Sequence, residues 1–136
     1  MRQTFTLTLA ALAFAAAPAF AIDFKVSGSG TTEFDMPGRN VCCSYFPNAS
    51  EGPVLSCSRV EPKYWTVTLT PKGKLTVYKD PGEVPGCGYG EPLGNIFAYG
   101  STWTKDAFTC TSSKRGVKCM ANGKGFRLSR AGLVKY

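Results

Sequence analysis

The chain has 136 residues with 16 lysines and arginines against 9 acids, so its formal net charge is +7, and it has six cysteines and no histidine. This length is enough for one domain with a modest core and too short for two. Because histidine is the most common general base and a frequent metal ligand, its absence argues against the familiar nucleophilic enzymes and against a zinc site.

Residues Met1–Ala21 have the pattern of a cleavable export signal. Arg2 provides a positive charge at the start, and an apolar run extends from Leu7 to Phe20. The last three residues have the pattern of a cleavage site, in which two small residues flank any third one. The run is too short for a membrane span and no later stretch approaches that length, so we expect no transmembrane segment. The mature chain, residues 22–136, is expected to be a single secreted β domain, located in the bacterial periplasm, where an oxidising environment favours disulfides.

Strand patterns follow the export signal. Phe24–Val26, Asn40–Phe46 and Val54–Val60 are short stretches of strand-forming residues. No long stretch of the mature chain has an apolar stripe at helical spacing, and 9 prolines and 15 glycines interrupt the chain. We therefore expect strands and no long helices.

A hairpin is predicted in the middle of the chain. Apolar residues alternate with polar ones over Trp65–Thr70 and again over Lys74–Tyr78. The intervening Pro71-Lys72-Gly73 suits a three-residue hairpin loop in which glycine takes the left-handed conformation. This turn places Leu69 opposite Leu75, so that the apolar residues share one face. The segment Asp80–Gly94, rich in proline and glycine, is expected to be a long loop.

Three antiparallel strands are predicted near the end of the chain, at Ala107–Ser112, Val117–Ala121 and Phe126–Ser129. Asn122-Gly123 favours a two-residue hairpin turn, and Ser113–Gly116 forms the preceding turn. These turns place Val117 opposite Leu128, Lys118 opposite Arg127, and Cys110 opposite Cys119. The predicted fold class is all-β, a small antiparallel domain of meander, barrel-like or sandwich form.

Three disulfides are expected to staple this domain. Cysteines that face each other across paired strands are close enough to form a bridge, which favours Cys110–Cys119. Cys42 and Cys43 are adjacent and point to opposite faces of a strand, so they should take different partners. We assign Cys43–Cys57 and Cys42–Cys87, although the exchanged pairing stays open; Cys42–Cys87 would hold the long loop.

The C-terminal third is basic, with no acid after Asp106. Facing like charges at Lys118 and Arg127 would destabilise a strand pair, unless the surface serves an anionic partner. The candidate partner surface consists of Lys114, Arg115, Lys118, Lys124, Arg127 and Arg130. An acidic protein, an envelope polysaccharide or a lipid headgroup fits an exported protein better than nucleic acid, and an ordinary solvated surface is the alternative.

No catalytic residue, metal site or cofactor is predicted. The closely spaced acids are Glu33 with Asp35 and Asp80 with Glu83, and surface turns explain both pairs. The sequence has no Cys-x-x-Cys pair, which is the cysteine spacing typical of zinc sites and of thiol-redox sites.

Two segments resemble a family of small secreted bacterial proteins. Phe34–Cys43 is similar to the family's opening, Pro-Ser-Gly-Asn-Ile-x-Cys, with Gly38-Arg39 in place of Ser-Gly and an additional Cys42. The ending is similar over Ala98–Trp103, Phe108–Cys110, Gly116–Cys119 and Gly125–Gly132, the last reading Gly-Phe-x-Leu-Ser-Arg-Ala-Gly. The resemblance implies export, a β fold and disulfides, and it adds no catalytic residue.

The sequence thus favours a secreted, disulfide-stabilised, non-enzymatic binding module that acts through its basic C-terminal face. One alternative is an inhibitor of an exogenous lysozyme or protease, because small exported β domains can have that role. The other is a hydrolase with an unrecognised carboxylate or lysine site.

Overall fold

The computed structural model describes residues 20–79 and 94–136. The described residues form eleven strands: β1 Phe20–Ala21, β2 Thr32–Asp35, β3 Val41–Phe46, β4 Val54–Arg59, β5 Trp65–Leu69, β6 Leu75–Lys79, β7 Ser101–Lys105, β8 Phe108–Ser113, β9 Gly116–Ala121, β10 Lys124–Ser129 and β11 Gly132–Lys135. No helix occurs among them, which confirms the predicted all-β class. In the same residues, no helix is long and apolar enough to cross a membrane.

The strands form two sheets, each built from consecutive segments of the chain. Strands β2 to β6 make a five-stranded antiparallel meander, and β7 to β11 make a second antiparallel meander. β1 adds a parallel strand at the edge of the second sheet, beside β7. Short turns join most neighbouring strands, which accounts for the dominance of antiparallel pairing.

The inner faces of the two sheets meet in one apolar core. The ring of Tyr45 on β3 lies 5.9 Å from the ring of Trp103 on β7 and 5.8 Å from that of Phe108 on β8. Burial alternates along β8, so that Phe108, Cys110 and Ser112 point inward. The architecture is therefore a sandwich of two meanders, one of the forms expected from the sequence.

The registers predicted from turns are present. In the β5–β6 hairpin, Leu69 faces Leu75 and Gly73 has a φ of +86°. In the second sheet, Val117 faces Leu128 and Lys118 faces Arg127. Turn chemistry thus determined the pairing of these strands, as expected from the sequence.

The predicted strand Phe24–Val26 is wrong. Only Val26 of this segment makes a bridge, an isolated one to Thr32. The backbone of Lys25 bonds instead to the Asn95 side chain, donating to Oδ1 at 3.0 Å and accepting from Nδ2 at 3.0 Å. A side-chain amide therefore replaces the neighbouring strand as the hydrogen-bond partner. Strands β2, β7 and β11 were not predicted, and the long-loop residues 80–93 lie outside the described residues.

Strand β1 coincides with the end of the predicted export signal, whose residues 1–19 lie outside the described part of the chain. Phe20 and Ala21 pair with Ser101 and Thr102, while the Phe20 side chain stays 71% exposed. The amide of Ile22 also bonds to the Thr102 carbonyl, at 2.9 Å. Cleavage after Ala21 would therefore remove β1 and retain the next backbone bond to β7.

Two disulfides lie within the core, Cys43–Cys57 and Cys110–Cys119, and they are two of the three pairs expected from the sequence. Each joins residues that face each other across neighbouring strands. Cys42 is also disulfide-bonded, and its expected partner Cys87 lies outside the described residues. Such bonds are typical of proteins from an oxidising compartment.

Candidate functional site

A basic groove lies at one end of the six-stranded sheet. Because the strands of a meander alternate in direction, the β8–β9 turn and the β10–β11 turn emerge at the same end. Lys114 and Arg115 occupy the first turn, and Arg130 occupies the second. The cavity between them measures about 510 Å³. Its lining residues are Lys114, Arg115, Arg127, Ser129, Arg130, Ala131, Gly132, Leu133 and Val134.

The groove has an unbalanced charge. Four cations line it, and none of the described residues in its lining is acidic. Cations converging on one concave surface create a positive potential that attracts anions and concentrates them locally. Two tight turns position Lys114, Arg115 and Arg130, and strand β10 positions Arg127, so the arrangement follows from the strand registers.

Lys118 lies beside the groove without lining it. It faces Arg127 across the β9–β10 pair, as the sequence predicted, and both residues are half-buried. The Lys118 ammonium lies 4.4 Å from the centre of the Tyr136 ring. This cation–π contact is worth about 0.5–1 kcal/mol at an exposed site and offsets part of the repulsion between the two cations.

Lys124 is separate from the other five residues of the predicted surface. It begins β10, next to the Asn122-Gly123 turn, at the opposite end of the sheet. A Cβ added at Gly73, in the β5–β6 turn of the other sheet, would contact the Lys124 side chain. Lys124 was expected in a turn flanking the same strands as Lys114 and Arg115, but a meander sends alternate turns to opposite ends of the sheet.

Arg59 is a buried residue that anchors the groove, and sequence reasoning missed it. It is only 2% exposed. From β4 it reaches the other sheet, where Nη1 donates to the carbonyls of Ser129 at 3.4 Å and Arg130 at 3.3 Å. Its Nε donates to the carbonyl of Lys63 at 3.1 Å, and the guanidinium carbon lies 3.9 Å from the centre of the Trp65 ring.

These contacts fix the turn that carries Arg130. A guanidinium can serve several carbonyls at once because it is a planar group with five donors. Burial lowers the pKa of Arg59 from its ordinary value, yet an arginine remains charged at neutral pH. One signal in the sequence was available, because Leu55, Cys57 and Arg59 alternate on the buried face of β4.

Glu61 also meets the groove at its rim. Its Oε2 accepts a hydrogen bond from Nη2 of Arg130 at 2.9 Å, and both side chains are exposed. An exposed pair of this kind contributes about 0–1 kcal/mol. A stronger anionic ligand could therefore displace Glu61 from Arg130 at little cost.

The described acid pair considered for catalysis, Glu33 with Asp35, does not lie at the groove. Asp35 is fully buried on β2, with Oδ2 lying 3.8 Å from Nε of Arg39. Glu33 accepts a hydrogen bond from the Ser44 hydroxyl at 3.4 Å. Asp80 and Glu83 lie outside the described residues. Both described acids are thus engaged by neighbouring side chains on the five-stranded sheet.

Three cysteine sulfurs come together in the core. The Sγ atoms of Cys43, Cys57 and Cys119 all lie within 4.8 Å of one another. Each of these sulfurs is in a disulfide, and a metal binds the thiolate form. In this oxidised state the cluster is therefore a packing contact between the two disulfides.

Comparisons with protein-family models, with curated proteins and with solved structures find no match to this chain.

Proposed function

We propose that the protein is a secreted, periplasmic, non-enzymatic binding module whose basic groove takes an anionic partner. The observation that carries this proposal is the groove itself: Lys114, Arg115, Arg127 and Arg130 line one cavity. Arg59 supports the proposal, because a buried guanidinium holds the Ser129–Arg130 backbone in place. A preorganised site loses less conformational freedom on binding than a set of mobile surface cations.

The energetic cost of the groove supports the same conclusion. Clustered cations repel one another, and Lys118 directly opposite Arg127 destabilises the β9–β10 pair. Carboxylate, sulfate or phosphate groups relieve this repulsion and accept charge-assisted hydrogen bonds from arginine. An anionic component of the envelope, such as an acidic polysaccharide or a headgroup, has this chemistry, and so does an acidic protein.

The test is binding to immobilised dextran sulfate over a series of salt concentrations. Arg115→Glu with Arg127→Glu reverses two cations of the groove. We expect binding at low salt to weaken by at least about tenfold, the effect of losing one charge-assisted contact. The wild-type protein should elute progressively as salt rises, because mobile ions screen the attraction.

The matched control is Lys72→Glu with Lys74→Glu. It changes the net charge equally but alters exposed lysines in the β5–β6 turn of the other sheet. We expect this variant to bind nearly as well as the wild type. Equal weakening of both variants would contradict the proposal, because it would show that only the overall charge matters.

A further inference from the structure

A second cavity adjoins the basic groove and extends it across the edge of the sandwich. It measures about 140 Å³ and shares Lys114, Ser129 and Arg130 with the groove. Its remaining lining residues are Met36, Pro37, Asn40, Val41, Tyr99, Ser113 and Gly116. The two cavities therefore adjoin at Lys114, Ser129 and Arg130, one strongly cationic and the other with apolar walls, and together they are called the track.

Tyr99 gives the second half its chemical character. Its side chain is 46% exposed, and it lies in the turn that leads into β7. Two backbone bonds hold this turn: the amide of Ser101 donates to the carbonyl of Ala98 at 3.2 Å and closes it, and the amide of Gly100 donates to the carbonyl of Ser112 on β8 at 2.8 Å. The aromatic ring is therefore presented from a fixed backbone, where a tyrosine offers an apolar surface with a polar tip at low entropic cost.

We infer that the ligand of this track is an extended acidic saccharide. The apolar face of a sugar ring can pack on Tyr99 and Pro37, while its acidic groups meet Lys114 and Arg130 where the cavities join. Further acidic groups along the same chain meet Arg115 and Arg127. This inference rests on the proposed function and deepens it by naming the ligand class.

The shape of the track favours a saccharide over a lipid surface. Its cations line concave cavities, whereas a bilayer is approached by a flat or convex surface from which cations and apolar side chains project. An aromatic platform at Tyr99 beside a row of cations also fits a polymer whose units carry an apolar ring face and an acidic group. A peptide of acidic residues has the charge but lacks the ring.

The experiment is isothermal titration calorimetry of the full mature protein with an oligogalacturonate several sugars long. Tyr99→Ala is expected to weaken binding about tenfold, within the range of a lost aromatic contact. Tyr99→Phe keeps the ring and should bind within about twofold of the wild type. Tyr78→Ala is the matched control, because Tyr78 is 51% exposed on β6 and does not line either cavity. Melting curves of all variants establish that each one is folded.

Titrations with polyglutamate and with phosphatidylglycerol vesicles distinguish the other ligand classes. Binding of either one without binding of oligogalacturonate would overturn the saccharide inference while leaving the anion-binding proposal intact. Unchanged oligogalacturonate affinity in Tyr99→Ala would also overturn it. Failure of the wild type to bind any polyanion would overturn both proposals.

Discussion

At the scale of single residues, Arg59 connects the core to the groove. Its side chain leaves β4 on the buried face, crosses to the second sheet and donates to the Ser129 and Arg130 carbonyls. Its charge is stabilised by these carbonyls and by the Trp65 ring. A residue with the same charge but a different donor geometry should therefore be unable to make these hydrogen bonds from this position.

We expect Arg59→Lys to lower the free energy of unfolding by about 1–3 kcal/mol, because the single ammonium nitrogen cannot occupy the positions of both Nε and Nη1. Arg115→Lys, in an exposed turn, should change it by less than about 0.5 kcal/mol. Denaturant unfolding of both variants provides the measurement. Equal stability of the two would contradict the anchoring role of Arg59.

The Tyr45 hydroxyl is a second residue with a measurable consequence. It donates a hydrogen bond to Oδ2 of Asp106. Burial, and then this bond to a carboxylate, raises the pKa of Tyr45 from 10.0 to about 12. The folded protein therefore keeps a proton that the unfolded chain releases at lower pH.

The direction of the pH effect follows from linkage. The contribution of Tyr45 to stability is complete below pH 10, the unfolded pKa, and is lost as the pH rises towards about 12. We expect Tyr45→Phe to lose less stability than the wild type between these two pH values. The measurement is the free energy of unfolding of both proteins at neutral and at alkaline pH. An equal loss of stability in the two proteins would contradict the assignment.

At the scale of elements, the tips of two hairpins from different sheets contact each other. An added Cβ at Gly73 would lie 2.8 Å from the carbonyl oxygen of Ala121 and 3.0 Å from Cβ of Lys124. Asn122 Nδ2 also donates to the Lys72 carbonyl at 3.0 Å. The β5–β6 turn thus packs against the β9–β10 turn, and glycine permits the close approach.

Gly73→Ala and Gly123→Ala form a matched pair of variants. Both glycines have positive φ, +86° and +73°, but a Cβ at Gly123 meets no atom within 4 Å. The left-handed backbone alone costs about 1–2 kcal/mol at either position. We expect Gly73→Ala to lower the melting temperature further than Gly123→Ala, and the reverse order would show that the turns do not pack as described.

The sequence predicted the elements whose local chemistry restricts the backbone. Asn122-Gly123 and Pro71-Lys72-Gly73 determined their hairpins because their φ requirements are local. Strand β2 was missed because Glu33 and Asp35, acids of a type depleted in strands, were interpreted as part of a surface turn. The track could not be predicted, because Tyr99 and Arg130 are far apart in the chain, and Pro37 on the facing wall comes from the other sheet, between β2 and β3.

At the scale of the whole molecule, two disulfides stabilise the contact between the sheets. Cys43–Cys57 belongs to one sheet and Cys110–Cys119 to the other, and sulfurs from both lie within 4.8 Å of each other. The closed loops span 14 and 9 residues. Restricting the unfolded chain by loops of this size contributes about 3 kcal/mol per disulfide.

We expect replacement of either pair by alanines to lower the free energy of unfolding by about 3 kcal/mol. Because the two disulfides are in contact, the loss in free energy of unfolding on removing both should differ from the sum of the separate losses by more than about 0.5 kcal/mol. Denaturant unfolding of the three variants tests this, and strict additivity would show that the disulfides act independently.

The proposed binding of anions at the basic groove can be tested directly by the amide chemical shifts of the folded protein during titration with a short sulfated oligosaccharide. We expect the largest shifts in the β8–β9 and β10–β11 turns, around Arg115 and Arg130, with small shifts at Lys72 and Lys124 at the opposite end. Rising salt should reverse them together, because mobile ions screen the shared attraction. Shifts of similar size at both ends of the sandwich, or none in the two turns, would contradict binding at the groove.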